Sequence, residues 1–319
     1  MRRFLKWVVI ALALAVLGLG IWGYAPDTDP SAMRGKYTSA ASQFLTLKPG
    51  LTVHVRDEGK RDGEPLVLIH GSNASLHTWE PWVARLGGQY RIISLDLPGH
   101  GLTGAHPGGV YDYRVFVETV AGVMDRLGIK RAAIAGNSMG GGTAWMFALA
   151  HPDRTSALIL VDAAGAPQSQ SRNTPIGFRL ARMPGVRALM KWIAPRSMFE
   201  ASLKATLYDP AQVTPAMVDR YWELNRYPGN REATMRRFAL MHNNRPASRE
   251  QLATIKAPTL ILWGEEDNLI PVSSARWFHE VMPASRLIIY PKVGHAPMEE
   301  VADTSARDVA AFLTETRVN

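Results

Sequence analysis

The sequence predicts an α/β fold: a largely parallel sheet with helices on both faces. Three observations predict it. Short apolar runs of β character alternate with helix-patterned stretches from Leu66 to Val161, and again from Thr259 to Thr314. A serine flanked by glycines, Ser138, falls between one such run and one such helix. The stretch Ala166–Ile255 breaks the alternation and is patterned as helix, as an inserted helical subdomain would be. Alternation of this kind calls for parallel strands joined by crossover helices that cover both faces.

Taken in order, three β-like runs come first, Phe44–Leu47, Leu51–Val55 and Leu66–Ile69, with Asp62-Gly63 as the turn before the third. Arg91–Leu95 reads as a strand, and Val115–Leu127 carries Val, Phe and Met at helical spacing. Ala132–Ala135 is a strand, Gly140–Ala150 a helix and Leu158–Val161 a strand. Inside the insertion, Val186, Leu189, Met190 and Ile193 recur on one helix face. Strands resume at Thr259–Trp263 and Leu287–Tyr290, and a helix over Thr304–Thr314 closes the pattern. The expected division is a core of residues 43–165 and 256–319 with a helical cap at 166–255.

Composition agrees with one large globular domain. Of 319 residues, 46% are hydrophobic and 20% charged, enough to bury a sizeable core. There is no Cys, which excludes disulfides, thiolate zinc sites and a cysteine nucleophile. The net charge of +8 is local: 14 Lys/Arg against 6 Asp/Glu fall between Gln168 and Glu250, and the rest of the chain balances. Such a segment reads as a solvated basic face, or else as attraction for an anionic surface or substrate. Zinc-finger spacing and RNP-type aromatics are both missing, so no nucleic-acid partner is expected.

At the start, Arg2, Arg3 and Lys6 precede or open the apolar run that ends at Tyr24. The 21 residues from Phe4 would, as a helix, span about 30 Å at about 1.5 Å per residue. Trp7 at one end and Trp22 with Tyr24 at the other suit the two interfaces. Residues 1–25 are therefore expected to anchor the chain in a membrane, with the catalytic domain outside the cytoplasm. The alternative is a cleaved signal ending at Gly23-Tyr24-Ala25, giving a secreted or periplasmic protein, although Pro26 fits such a site badly. Residues 26–42, polar and holding Pro and Gly, read as a tether.

The chemistry centres on Gly136-Asn137-Ser138-Met139-Gly140, a G-x-S-x-G pattern between a strand and a helix. That context makes Ser138 a nucleophile presented on a sharp turn, where side chains at either glycine would collide with backbone. A hydroxyl needs a base, and His295 follows the last strand by a short loop; His100 and His151 read more easily as structural. The imidazole needs an acid. Asp267 lies just past the strand ending at Trp263, with Asp162, Glu265 and Glu266 as rivals. Two oxyanion donors are required. The N–H of Met139 and the N–H of Ser72, in the loop His70-Gly71-Ser72-Asn73, fill that role, with Asn73 as a further side-chain donor. This chemistry calls for no metal and no cofactor.

His70-Gly71, Asp96-Leu97-Pro98-Gly99-His100-Gly101, the Ser138 motif, Trp263-Gly264-Glu265-Glu266-Asp267 and Gly294-His295 occur in the order and spacing of capped α/β hydrolases, and the chain resembles that family over roughly residues 44–315. The resemblance implies an α/β-hydrolase fold: an eight-stranded, mostly parallel sheet with a helical cap inserted after strand six. It also implies an acid after strand seven, which favours Asp267 over Asp162. Ser138 stands where haloalkane dehalogenases and epoxide hydrolases carry Asp, which sets both aside. The elbow Gly-Asn-Ser-Met-Gly-Gly is similar to that of meta-cleavage product hydrolases. Those enzymes have a glycine-rich oxyanion loop and a Trp after the catalytic His, where this chain has Ser72-Asn73 and Ala296. The leading expectation is a carboxylic ester hydrolase working through an acyl-enzyme, on a small-molecule ester with an apolar acyl part under the cap. The alternative is carbon–carbon hydrolysis of a 1,5-diketone acid, its carboxylate held by Arg172, Arg179, Arg182 or Arg187. A non-catalytic binding protein on the same fold is the third reading.

Overall fold

The computed structural model describes residues 23–47, 50–167, 183, 185–186, 190–240 and 247–318, with residues 4–7, 10, 18 and 20 ahead of them. The strands are β1 (Ser42–Thr46), β2 (Thr52–Gly59), β3 (Glu64–Ile69), β4 (Tyr90–Leu95), β5 (Ala132–Asn137), β6 (Thr155–Val161), β7 (Thr259–Gly264) and β8 (Arg286–Tyr290). They form one sheet in the order β1-β2-β4-β3-β5-β6-β7-β8. β2 runs antiparallel to both β1 and β4, and every other pairing is parallel. Leu66–Ile69, Leu158–Val161 and Leu260–Trp263 are fully buried. Both faces of these strands are covered, so they read as continuous apolar runs rather than as alternation.

The helices are α1 (Pro30–Tyr37), α2 (Glu80–Leu86), α3 (Tyr113–Arg126), α4 (Met139–Ala150), α5 (Arg196–Thr206), α6 (Pro215–Asn225), α7 (Asn230–Leu240), α8 (Arg249–Ala253), α9 (Ser273–Val281), α10 (Pro297–Glu300) and α11 (Ala302–Val318). On one face, Phe116, Phe147 and Phe278 of α3, α4 and α9 pack with Val67, Ile134 and Ile261. On the other, Trp82 and Phe312 of α2 and α11 pack with Leu66, Ala135 and Leu262. Each such aromatic contributes about 1.5–3 kcal/mol by leaving water. The helices α5–α8 come between β6 and β7, so the helical insertion follows strand six.

Strand order decides where chemistry can sit. The chain passes from β3 outward to β4, then returns across to β5 on the other side of β3. The carboxyl ends of β3 and β5 therefore face a common crevice at the point where direction reverses, and Ile69 pairs in register with Gly136.

The expectation of a membrane-crossing anchor over residues 1–25, with a catalytic domain held outside the cytoplasm, is overturned. Among the described residues no helix is long and apolar enough to cross a membrane. Much of residues 1–22 lies outside the described residues. Hydropathy counts apolar side chains, and does not report whether the backbone continues as one helix. From Tyr24 to Asp29 the chain runs without helix against the cap. Tyr24 bridges Ile193, the Ala25 N–H donates to the Trp192 carbonyl at 3.0 Å, and the Ala194 N–H to that of Gly23 at 3.0 Å. The tether expected at 26–42 instead contains α1, capped by Asp29, and Lys36 and Tyr37 both reach Glu223 of α6.

Candidate active site

β5 ends at Asn137 and α4 begins at Met139, leaving Ser138 between them at φ 54°, ψ −118°. A side chain is strained there, and three backbone hydrogen bonds hold it. The Ser138 N–H donates to the Val161 carbonyl at 3.0 Å, and its own carbonyl accepts from Gly142 and Ala164. Asn137 Nδ2 donates to the Val161 carbonyl at 3.2 Å and to the His295 carbonyl at 3.1 Å, tying the elbow to the histidine loop. A Cβ at Gly136 would strike the Gly140 carbonyl, and one at Gly140 would strike that of Ile69. The close approach of β3, β5 and α4 is what the two glycines permit.

His295 enters from the loop after β8 and is buried. Its Nδ1–H donates to Asp267 Oδ2 at 2.7 Å, while Asp267 Oδ1 accepts the N–H groups of Leu269 at 2.7 Å and Ile270 at 3.0 Å. This leaves His295 Nε2 as the acceptor nitrogen, buried and without a protein partner. Glu300, which the sequence reading missed, accepts from the N–H groups on either side of His295: Gly294 at 3.0 Å and Ala296 at 3.1 Å. The signal available was an acid in the first turn of the helix directly after the histidine.

Asp162, the rival acid, directly follows β6 at φ 44°. It does not hydrogen-bond His295; its Oδ1 accepts the Gly264 N–H at 3.0 Å. One atom each of Asp162, Asp267 and His295 lie within 4.8 Å of one another. Burial first, and the Asp267 charge second, push the Asp162 carboxyl well above the usual carboxylate range. Glu265 and Glu266 lie exposed at the start of the same loop.

The loop expected to supply an oxyanion donor, His70-Gly71-Ser72-Asn73, follows β3. His70 donates from Nδ1 to the Gly71 carbonyl at 2.7 Å and accepts the Leu97 N–H at Nε2 at 3.0 Å, so it is a neutral brace. Burial pushes its pKa down, in keeping with that state. Asn73 sits at φ 61°. Its side-chain oxygen is occupied by Thr234 and Arg237 of α7. Ser72, Met139, Ser138 and His295 all border one cavity of about 710 Å³, roofed by Met190, Met198, Phe199, Leu203, Met235 and Phe238. Arg172, Arg179, Arg182 and Arg187 lie outside the described residues.

A serine on a strained strand-to-helix turn, bordering the same cavity as a carboxylate-paired imidazole at the carboxyl edge of a mostly parallel sheet, fits the family that the sequence resembles. Residues 64–301 match it, the α/β hydrolase fold. The chain is an α/β hydrolase. Among curated proteins this α/β hydrolase is similar to a 2-hydroxy-6-oxononadienedioate/2-hydroxy-6-oxononatrienedioate hydrolase of Comamonas testosteroni, at 30% identity covering 86% of the chain and 97% of that protein. Among solved structures it resembles the meta-cleavage product hydrolase of Pseudomonas fluorescens IP01, at 27% identity and TM-score 0.72, covering 86% and 97% of the two chains. It also resembles a membrane phospholipase A described as a bacterial virulence factor, at 25% identity and TM-score 0.76, covering 99% of each. The α/β hydrolase is thus a hydrolytic enzyme, and the reading as a binding protein without catalysis gives way.

Proposed function

We propose that the chain hydrolyses a carbonyl compound through Ser138, and that its substrate is a diketone acid of the meta-cleavage type. The observation that carries the first part is the bond from His295 Nδ1 to Asp267 with Nε2 left as a buried acceptor, in the cavity that Ser138 also borders. Ser138 Oγ adds to the ketone carbon while His295 takes its proton. The oxyanion is held by the N–H groups of Ser72 and Met139. The neighbouring carbon leaves with the bonding pair and receives the proton from His295. Water, activated by the same imidazole, then releases the acyl group as a carboxylic acid. Asp267 holds the tautomer and stabilises the imidazolium.

The curated relative at 30% identity and the solved meta-cleavage product hydrolase support the carbon–carbon bond as the one cleaved. Two observations favour a second reading, ester hydrolysis by the same residues. The cavity roof is largely apolar, suited to an acyl chain. The phospholipase A covers 99% of the chain, against 86% for the carbon–carbon hydrolase. Purified protein is to be given a meta-cleavage product and a graded series of nitrophenyl esters side by side. A kcat/KM at least tenfold higher for the diketone acid supports the first reading. The reverse order assigns the enzyme to esters, and Ser138→Ala active on both would remove the nucleophile.

A further inference from the structure

Arg237 is buried in the catalytic cavity, yet it comes from the cap helix α7. Every partner of its guanidinium is neutral. Nη1 donates to Ser72 Oγ at 2.7 Å and approaches Met139 Sδ at 3.3 Å; Nη2 donates to Asn73 Oδ1 at 3.0 Å and Thr234 Oγ1 at 3.1 Å. Nε is buried with no partner, and among the described residues no carboxylate pairs with the group. Burial lowers its pKa to about 10, which leaves it a cation at neutral pH. A buried cation without an acid is destabilising by itself. The residues it grips are the two whose N–H groups form the oxyanion pair, together with Asn73 at positive φ.

We propose that Arg237 is a positioning residue of the oxyanion hole. It clamps Ser72, Asn73 and Met139 from the cap, and it supplies a positive charge that the tetrahedral oxyanion uses and the neutral ground state does not. The inference rests on the reading of Ser138 as nucleophile. Its consequence is that the cap is part of the catalytic machinery as well as a roof: an open cap withdraws the clamp from the loop after β3. Interactions that strengthen only as charge develops raise kcat rather than lower KM. A substrate-binding arginine would do the opposite for acidic substrates and nothing for neutral ones.

The test uses the full chain with Arg237→Ala, Arg237→Gln and Arg237→Lys, and a fluorophosphonate as probe. Ser138 Oγ displaces fluoride from phosphorus, passing through an anionic oxygen in the hole, so the rate can be read without knowing the substrate. A neutral nitrophenyl ester gives kcat and KM separately. Labelling and kcat should fall about 10²-fold in Arg237→Ala and Arg237→Gln, with KM within about threefold of wild type. Arg237→Lys, which keeps the charge, should recover about tenfold of that loss. If Arg237→Ala does not fold, the Gln and Lys variants decide. Equal labelling rates in wild type and Arg237→Gln, or a loss confined to KM for acidic substrates, overturn the inference and leave Ser138 as nucleophile. No labelling of the wild type overturns the Ser138 reading, and the inference with it.

Discussion

Replacing Asp267 by Asn exchanges one oxygen for an amide nitrogen at almost constant volume. The surroundings dictate which way the amide points. Leu269 and Ile270 both direct N–H groups at Asp267 Oδ1, at 2.7 Å and 3.0 Å. Turning the NH₂ toward them would set a donor against two donors, at a cost of about 1–3 kcal/mol for each group left unsatisfied. The amide oxygen therefore keeps that side, and the NH₂ faces His295 Nδ1, where a carboxylate oxygen now accepts at 2.7 Å. Imidazole must then accept at Nδ1 and carry its proton on Nε2, the nitrogen proposed to take the proton of Ser138. A wrong tautomer of this kind costs roughly 10⁴-fold in kcat, about 5.5 kcal/mol. KM should hardly move, because Asp267 does not border the cavity. Initial rates of purified variant and wild type, with thermal unfolding beside them to show that the fold is intact, measure this directly. Asp162→Asn should cost less than about tenfold, since Asp162 bonds Gly264 and not His295. Retention of more than a tenth of wild-type kcat by Asp267→Asn, or a larger loss in Asp162→Asn, would refute the assignment.

Ser138→Ala should lose on the order of 10⁴-fold or more in activity with its melting temperature nearly unchanged; fluorophosphonate labelling persisting in the variant would move the nucleophile elsewhere. Gly140→Ala drives a methyl group into the Ile69 carbonyl, so a destabilisation of about 3 kcal/mol or more is expected, beyond ordinary core overpacking; an unchanged melting temperature contradicts it. The raised Asp162 pKa means the folded protein keeps a proton that the unfolded chain gives up around pH 4. Stability from that proton is fully present below the unfolded value and lost as pH rises through the folded one. Asn cannot ionise, so Asp162→Asn should gain on wild type in melting temperature as pH rises above about 4, where the unfolded carboxyl ionises, and not at lower pH; a gain that ignores pH speaks against a protonated Asp162. Glu300→Ala strips a shared acceptor from Gly294, Ala296 and Tyr208. At about 1 kcal/mol per bond it should cost about 2–4 kcal/mol and lower kcat. A variant with wild-type kcat would show that Glu300 does not steady His295.

The two neighbouring arginines of α7 show where sequence reasoning stops. Periodicity alone determined the α/β class, the run of strands from Leu66 to Tyr290 and the helical insertion after the sixth, because buried parallel strands and amphipathic helices leave their period in the apolar residues. The serine turn was equally legible, since only a residue without Cβ fits at Gly136 and Gly140. A charge carries no such mark of direction. Arg236 and Arg237 stand side by side in one basic segment. Arg236 is half exposed and pairs with Glu232 one turn away, while Arg237, about 100° further round the helix, enters the cavity beside Ser72. Asp162 and Asp267 differ in the same way: each follows a strand, and only the packing of β6, β7 and the loop after β8 decides which carboxylate meets His295. An apolar run can be counted along the chain, but the partner of a buried polar group is set by a second segment far away in sequence. Tertiary structure alone brings the two together.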